Sequence, residues 1–541
     1  MKLEAKGMET GDTWTGTAGV VVFVFLIYRY VIYPACFSPL ALVPNAHWSA
    51  PFSRLWILRV RFVHRENRTL HGAHRRLGPV IRVGPNELSI NDLDSVRSVY
   101  QGGFEKPVWY SVFDNYGVPC MFSARSAAEH AARKRLISHV YSKSYIQSSP
   151  AALAQARAII YGRLLPILEE SVLDTAAPHG IDIYSTFMAA TMDFIAAYIF
   201  GLGNDTDFLA AKAYREHFLE LYKARNDYGY YDQELPRLTR LCRRLGIPLC
   251  PKWADAANRE LGEWCRRLCN KIEQRLDAGF QPRRGSADEP IVWNVLVGGL
   301  RNEEAKHGPQ SILYPTALTN FKLSVASELF DHVLAGQETA GLTLTYLSWR
   351  LSQSLELQEQ LRAELLTLSP TMRLTQDGTS AIPDPRQLDG LPLLHAVLME
   401  TLRLHAPIPG AQPRQTPDSG CRIGPHQLPG GVRIAALAYT LHRDGTVFPE
   451  PEKWDHARWL PSCADDEDRK RRNRQFWAFS SGGRMCVGSN FAMHEMKLVI
   501  AAIYSNYTSH IVDDEGMESQ SDGYTGRPQN ERLFLRFEKV D

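Results

Sequence analysis

The segment Phe479-Ser480-Ser481-Gly482-Gly483-Arg484-Met485-Cys486-Val487-Gly488 decides how this chain is read. One cysteine, Cys486, stands in a glycine-rich loop, with Arg484 two residues before it. Helix-forming residues follow, Asn490-Phe491-Ala492-Met493-His494-Glu495-Met496-Lys497-Leu498. Backbone N–H groups at a helix start favour negative charge, so Cys486 is expected there as a thiolate. The glycines let the loop pass close under a large flat ligand, where side chains would collide.

Two motifs lie upstream. Glu400 and Arg403, in Leu398-Met399-Glu400-Thr401-Leu402-Arg403-Leu404-His405, are three apart and share a helix face. Pro392 sits near the start of that helix, where its ring is tolerated. Ala335-Gly336-Gln337-Glu338-Thr339-Ala340 interrupts a long apolar helical stretch from about Asn320 to Leu351. The small residues at 335 and 336 are read as room for a flat cofactor. Thr339 can bond the carbonyl four residues back and loosen the helix.

The pattern F-x-x-G-x-R-x-C-x-G, matched at all five fixed positions, resembles the haem-binding loop of the cytochrome P-450 superfamily. The resemblance covers about 45 to 541. It implies haem b with Cys486 as the axial iron ligand and Phe479 and Arg484 beside it. A thiolate on haem iron favours O–O cleavage. It also implies a structural Glu400–Arg403–Arg458 network, with Arg458 in Phe448-Pro449-Glu450-Pro451-Glu452-Lys453-Trp454-Asp455-His456-Ala457-Arg458. Trp454 and His456 depart from the family's usual Phe and Pro. Glu338 and Thr339 match the family's proton-delivering acid–threonine pair. Arg484, Arg414, His130 and Lys134 are candidates for the haem propionates. Lys134 lacks arginine's bidentate fork, so neighbouring Arg135 is an alternative. A solvated basic helix face is the other reading of the 130–135 cluster.

The 541 residues are 44% hydrophobic, ample for a large core, and the formal net charge of +2 implies no nucleic-acid binding. Nine cysteines without a C-x-x-C pair suggest a reducing compartment. Thr17 to Phe37 is apolar and just long enough to span a bilayer, with Arg29 snorkelling and Tyr28, Tyr30 and Tyr33 in an interface belt. A secretory signal peptide is the runner-up. The flank, with Lys2, Glu4, Lys6, Glu9 and Asp12, and the lack of a small-x-small cleavage site speak against it. Arg54, Arg59, Arg61 and Arg65 follow the span and place its C-terminal side in the cytosol. The resemblance to microsomal members points to the endoplasmic reticulum membrane, single-pass.

The expected organisation is a membrane anchor with a proline hinge (Pro34, Pro39, Pro44, Pro51) over 1–44 and a catalytic domain over 45–541. The fold class is mainly α with small β-sheets (α+β), the cytochrome P-450 fold with a single N-terminal transmembrane helix. A hairpin is expected over 80–90 and a helix over 127–147. From 150 to 350 the chain reads as helical, with polar loops near 203–207, 225–235, 281–289 and 302–312. A β-rich patch is expected over 407–440. The charged stretch 461–475 reads as irregular. Its run Arg469, Lys470, Arg471, Arg472 and Arg474 is either a docking site for an acidic reductase or a solvated loop.

The resemblance therefore implies a haem-thiolate monooxygenase. It inserts one oxygen atom of O2 into a lipophilic small molecule. Its electrons come from NADPH-cytochrome P-450 reductase, with cytochrome b5 as an optional second donor. The wording of its motifs is most similar to filamentous-fungal members of secondary metabolism. A P-450-type isomerase or peroxygenase would not need the Glu338–Thr339 pair. A non-enzymatic haem sensor is the binding-protein alternative. Substrate-contacting stretches in the family fall near 105–125, 205–250, 330–335, 407–409 and Tyr524.

Overall fold

The computed structural model describes residues 9–173, 180–204, 206–374, 381–463 and 465–540. Lys2, Glu4 and Lys6 of the N-terminal flank lie outside the described residues. The chain divides into two units, one up to Phe104 together with Gln412–Leu437, the other Glu105–Ala411 with Ala438 onward.

In the first unit an α-helix, Glu9–Ile27, runs directly into a π-helical segment, Tyr28–Phe37. Pro34 lies inside that segment, so it does not end the helix as expected; Ser38 turns the chain out instead. Thr17–Phe37 is long and apolar enough to cross a membrane, and only 6% of its most apolar window is buried. Pro150–Val172 and Ile183–Phe200 also meet that length and composition, but are 50% and 94% buried within the protein. The residues after the span are not a loose hinge. Buried Arg82 donates to the carbonyls of Pro34 (2.9 Å), Leu40 (3.4 Å) and Pro85 (2.8 Å), and Leu40 and Val43 are core residues. The expected hairpin forms, Val80–Gly84 against Glu87–Ile90, and continues through Arg433–Ala436 and Arg414–Gln415 into a four-stranded sheet. Cys421–Ile423 and His426–Leu428 form a second hairpin within the β-rich patch.

The second unit is mainly helical, with one three-stranded sheet of Ile181–Asp182, Phe534–Lys539 and Tyr507–Asp513. Its spine is the helix Phe321–Ser352, close to the expected bounds, packed on Ile183–Phe200. The latter helix is buried along its whole length. The two backbones approach closely: a Cβ on Gly336 would lie 2.7 Å from Ile195 Cγ1, and one on Gly341 2.8 Å from Met188 Sδ. Thr191 Oγ1 donates to the Gln337 carbonyl at 2.7 Å across the same contact. Gly336 is therefore small because of its neighbouring helix, which corrects the reading that it makes room for a cofactor.

Four element boundaries differ from expectation, the first being the loop expected near 302–312, where the helix Ile291–His307 runs on into a 3-10 turn, Gly308–Gln310. Helix 127–147 is two helices, Ala127–Ile137 and Lys143–Ser148. Ser126 and Ser142 cap them, accepting from the N–H groups of Glu129 and Tyr145, and the second cap restarts a helix that apolar periodicity alone would run through. The expected loop 225–235 is mostly helix. Lys212–Glu234 runs on until Pro236 opens the next helix at its N-terminal turn. In the charged stretch, Asp466–Gln475 is helical. Asp465 caps it, acids fill its first turn and basic residues its last, which suits the helix dipole. Arg469 pairs with Asp466, and Lys470 with Glu467 at 2.8 Å, so part of the basic run is neutralised by its own helix.

Candidate haem-thiolate site

The cysteine loop leaves Trp477 and turns at Ser480 and Gly482, whose φ values are +60° and +72°. A 3-10 turn, Gly482–Arg484, carries the chain to Cys486, whose N–H donates to the Phe479 carbonyl at 3.0 Å. The helix Ser489–Asn506 follows at once. Cys486 is accessible, yet its surroundings desolvate its thiol. Burial pushes its thiol up. The N–H groups of Gly488 and Ser489 and the ammonium of Lys134 pull the other way without cancelling that effect. The helix start thus works against burial at Cys486, and a bound cation would favour the thiolate further.

Two cations staple this loop to the region of the helix Ala127–Ile137. Lys134 Nζ donates to the carbonyls of Gly483 (3.0 Å) and Met485 (3.1 Å). Arg484 reaches back to the carbonyls of Ala124 (2.7 Å) and Arg125 (2.6 Å). Of the other propionate candidates, His130 is buried on the Lys134 helix. Arg135 is exposed there. Arg414 belongs to the first unit, buried over the Tyr100 ring at 4.7 Å.

Glu400, Arg403 and Arg458 are brought together. Arg403 makes two 2.8 Å bonds to the Glu400 carboxylate, and Arg458 Nε a third at 3.0 Å. Trp459 Nε1 and the Asp455 N–H each add one at 2.8 Å. Glu400 and Arg403 are fully buried. Such a pair is costly to assemble and costlier to break, because removing one partner strands a buried charge. Arg403 also donates to the carbonyls of His442, Pro451 and Lys453 at 2.7–3.0 Å, fixing the Trp454 segment. Trp454 Nε1 donates to Thr401 Oγ1 at 3.1 Å, and its ring meets that of His456 at 5.5 Å.

His442 links this network to the cysteine loop, a role that sequence reading missed. Its Nδ1 lies 2.8 Å from the Arg403 carbonyl, and its Nε2 accepts from the Trp477 N–H at 2.7 Å. Each partner dictates a neutral ring with the proton on Nδ1. Burial and the charges of Arg403 and Arg443 depress its pKa to about 3, against the helpful Arg403 carbonyl.

On the long helix, Thr339 Oγ1 donates to the Ala335 carbonyl at 2.8 Å, the back-bond anticipated from sequence. Glu338 is buried and fully engaged: Arg527 Nε (2.6 Å) and Thr525 Oγ1 (2.9 Å) bond one carboxylate oxygen, and the Tyr222 hydroxyl (2.9 Å) the other. None of these three partners was anticipated. Two turns earlier on this helix, the charge of Asp331 adds to the influences that push the Cys486 thiol up. Burial pushes Asp331 up to about 6.

The family model for cytochrome P450 matches residues 57–533. The chain belongs to the cytochrome P450 family. Curated relatives include the cytochrome P450 monooxygenase tazI of Aspergillus terreus, 24% identical with 96% of each chain covered. Another is the cytochrome P450 monooxygenase avaI of Aspergillus versicolor, 27% identical over 78% of this chain and 93% of the relative. The cytochrome P450 monooxygenase stcB of Emericella nidulans is 24% identical over 93% and 89%. The residues present fit the haem with thiolate ligation that the family implies. Cys486 offers an accessible soft sulfur donor, and a Cβ on Gly483 or Gly488 would meet no protein atom within 4 Å, which leaves room for a flat group beside the loop.

Proposed function

We propose that this protein is a haem-thiolate monooxygenase that places one oxygen atom of O2 into a lipophilic small molecule in secondary-metabolite biosynthesis. The observation that carries the reading is Cys486, an accessible but desolvated thiol in a glycine-rich loop. Cys486 would hold the iron of haem b. Phe479 and Arg484 would frame the loop, and His130, Lys134 and Arg414 remain the propionate candidates. The bound haem supplies the oxygen-activating chemistry. The protein holds Cys486 in place through Lys134, Arg484 and the His442 link. Glu400, Arg403 and Arg458 keep the scaffold behind it rigid. Thr339 would supply a hydroxyl for proton delivery, and Glu338 would be the adjacent proton-exchanging acid.

The apolar span Thr17–Phe37 supports a single-pass anchor in the endoplasmic reticulum membrane, ahead of a cytosolic catalytic domain over 45–541. Electrons would come from NADPH-cytochrome P-450 reductase and, optionally, cytochrome b5. The test is Cys486→Ser. The variant should fold but lose the strongly red-shifted Soret band of a thiolate-ligated ferrous carbonyl. Retention of that band would assign the ligand to another cysteine.

A further inference from the structure

A cavity of about 520 Å³ opens in the second unit, bounded by Phe113, Asn115, Tyr116, Arg225, Phe330 and Tyr524. That volume suits a drug-sized ligand. Phe113, Tyr116, Phe330 and Tyr524 give it an aromatic side, while the rest of the lining is largely polar and charged, with Asp114, Arg259, Glu263 and Arg266 among it. Arg225 stands against the aromatic side. It comes from the helix Lys212–Glu234 and lies over the Phe330 ring at 5.3 Å. A guanidinium carries five N–H donors. Its one hydrogen bond is to Asn115 Oδ1 at 3.2 Å, and no carboxylate among the described residues pairs with it. Burial lowers its pKa, the mark of a charge that is poorly solvated where it stands.

The neighbouring acids do not supply the missing partner. Asp331 feels the Arg225 charge without contacting it, and its own carboxyl is pushed up by burial. Asp232 and Asp255, on the same cavity, lie 3.5 and 3.9 Å from Arg243. Phe330 is nine residues before Thr339, about 13 Å along the helix axis. A ligand held at Arg225 and lying along this helix would bring its far end toward Thr339.

Resting on the monooxygenase reading above, we propose that Arg225 anchors a carboxylate of the substrate, which makes the substrate class lipophilic carboxylic acids rather than wholly apolar molecules. The planar fork of arginine matches a carboxylate in two parallel bonds, and charge-assisted bonds in a desolvated site are strong. The aromatic walls would take the apolar body. Oxidation would fall at a carbon remote from the acid group.

The test compares 4-biphenylacetate with its methyl ester, using the haem-loaded full-length enzyme and calorimetric titration. The acid should bind at least about tenfold tighter than the ester, the size expected for one charge-assisted contact. Arg225→Gln should bring the two within about twofold, and Arg225→Lys should retain part of the preference. Thermal melting checks that the variants fold. Equal binding of acid and ester, binding of neither, or a preference that survives Arg225→Gln overturns the proposal. The ferrous carbonyl band, recorded on the same samples, separates the two readings. Its absence defeats the monooxygenase assignment, whereas its presence without an acid preference defeats only the role of Arg225.

Discussion

Arg527 holds Glu338 in a 2.6 Å ion pair, joining the acid of the Glu338–Thr339 pair to the C-terminal segment 189 residues away. Burial opposes the Arg527 charge, but Glu338 and its neighbours hold the guanidinium above its ordinary range. Breaking a buried pair costs about 3–5 kcal/mol, because one charge is left without a partner. Arg527→Gln should therefore destabilise the fold markedly, while the double variant Arg527→Gln/Glu338→Gln should recover much of the loss. Denaturant unfolding of the four proteins gives the coupling energy. A coupling near zero would mean that the pair does not hold this region together.

Thr339 offers a cleaner test of proton delivery, because it shares no ion pair. Thr339→Ala removes the hydroxyl and leaves the cysteine loop untouched. NADPH consumption should stay comparable, with less hydroxylated product and more hydrogen peroxide released. General acid–base groups contribute about 10²–10⁴-fold to rate, so the fall in coupling should be easily measured. Unchanged product per NADPH would reject the relay role and favour an isomerase or peroxide-using activity.

His442 makes the fold sensitive to acid. Its pKa falls from an ordinary 6.5 to about 3 on folding. The unfolded chain therefore binds a proton between those values that the folded chain refuses. Its contribution is fully present above pH 6.5 and is lost as pH falls from there toward 3, by about 1.4 kcal/mol per unit at most. His442→Gln, which keeps a donor and an acceptor, should flatten the stability profile across this window. Chemical denaturation at pH 7.5, 6 and 5 measures it; an unchanged slope would assign acid sensitivity to other groups.

Arg82 sets where the candidate membrane span can be removed. Deleting residues 1–32 keeps the Pro34 and Leu40 carbonyls that Arg82 uses. Deleting 1–43 takes both away, along with buried Leu40 and Val43. Arg82 keeps the Gly84 and Pro85 carbonyls, but two lost acceptors at a buried guanidinium and two lost core side chains should cost several kcal/mol. The shorter deletion should lose most membrane binding in high salt with its haem spectrum intact. The longer one should melt at lower temperature. Equal melting temperatures would show that Arg82 finds other partners.

The parts of the site legible in sequence are those whose spacing is local. Cys486 with its glycines lies within ten residues, and Glu400 with Arg403 within one helical turn. Arg458, farther along, was reached through family resemblance. What stayed hidden was non-local. Arg527, Thr525 and Tyr222 meet Glu338 from far along the chain, and His442 bridges Arg403 and Trp477 without a motif of its own. The broken helix after Ile137 was missed for another reason: apolar periodicity continues across it, and a single serine cap decides the restart. Gly336 shows the opposite error, a real signal for close approach assigned to the wrong neighbour.

That crowded helix crossing also bears on how the enzyme could be given new substrates. With Gly336 and Gly341 already pressed on the side chains of Ile195 and Met188, added bulk there has to repack a fully buried seam. Directed evolution should find this seam nearly intolerant. The productive library positions lie on the aromatic side, at Phe113 and Tyr524, whose rings meet at 5.2 Å without bearing the weight of the spine. Specificity and scaffold are thus carried by different residues of the second unit, and one can be edited while the other is left alone.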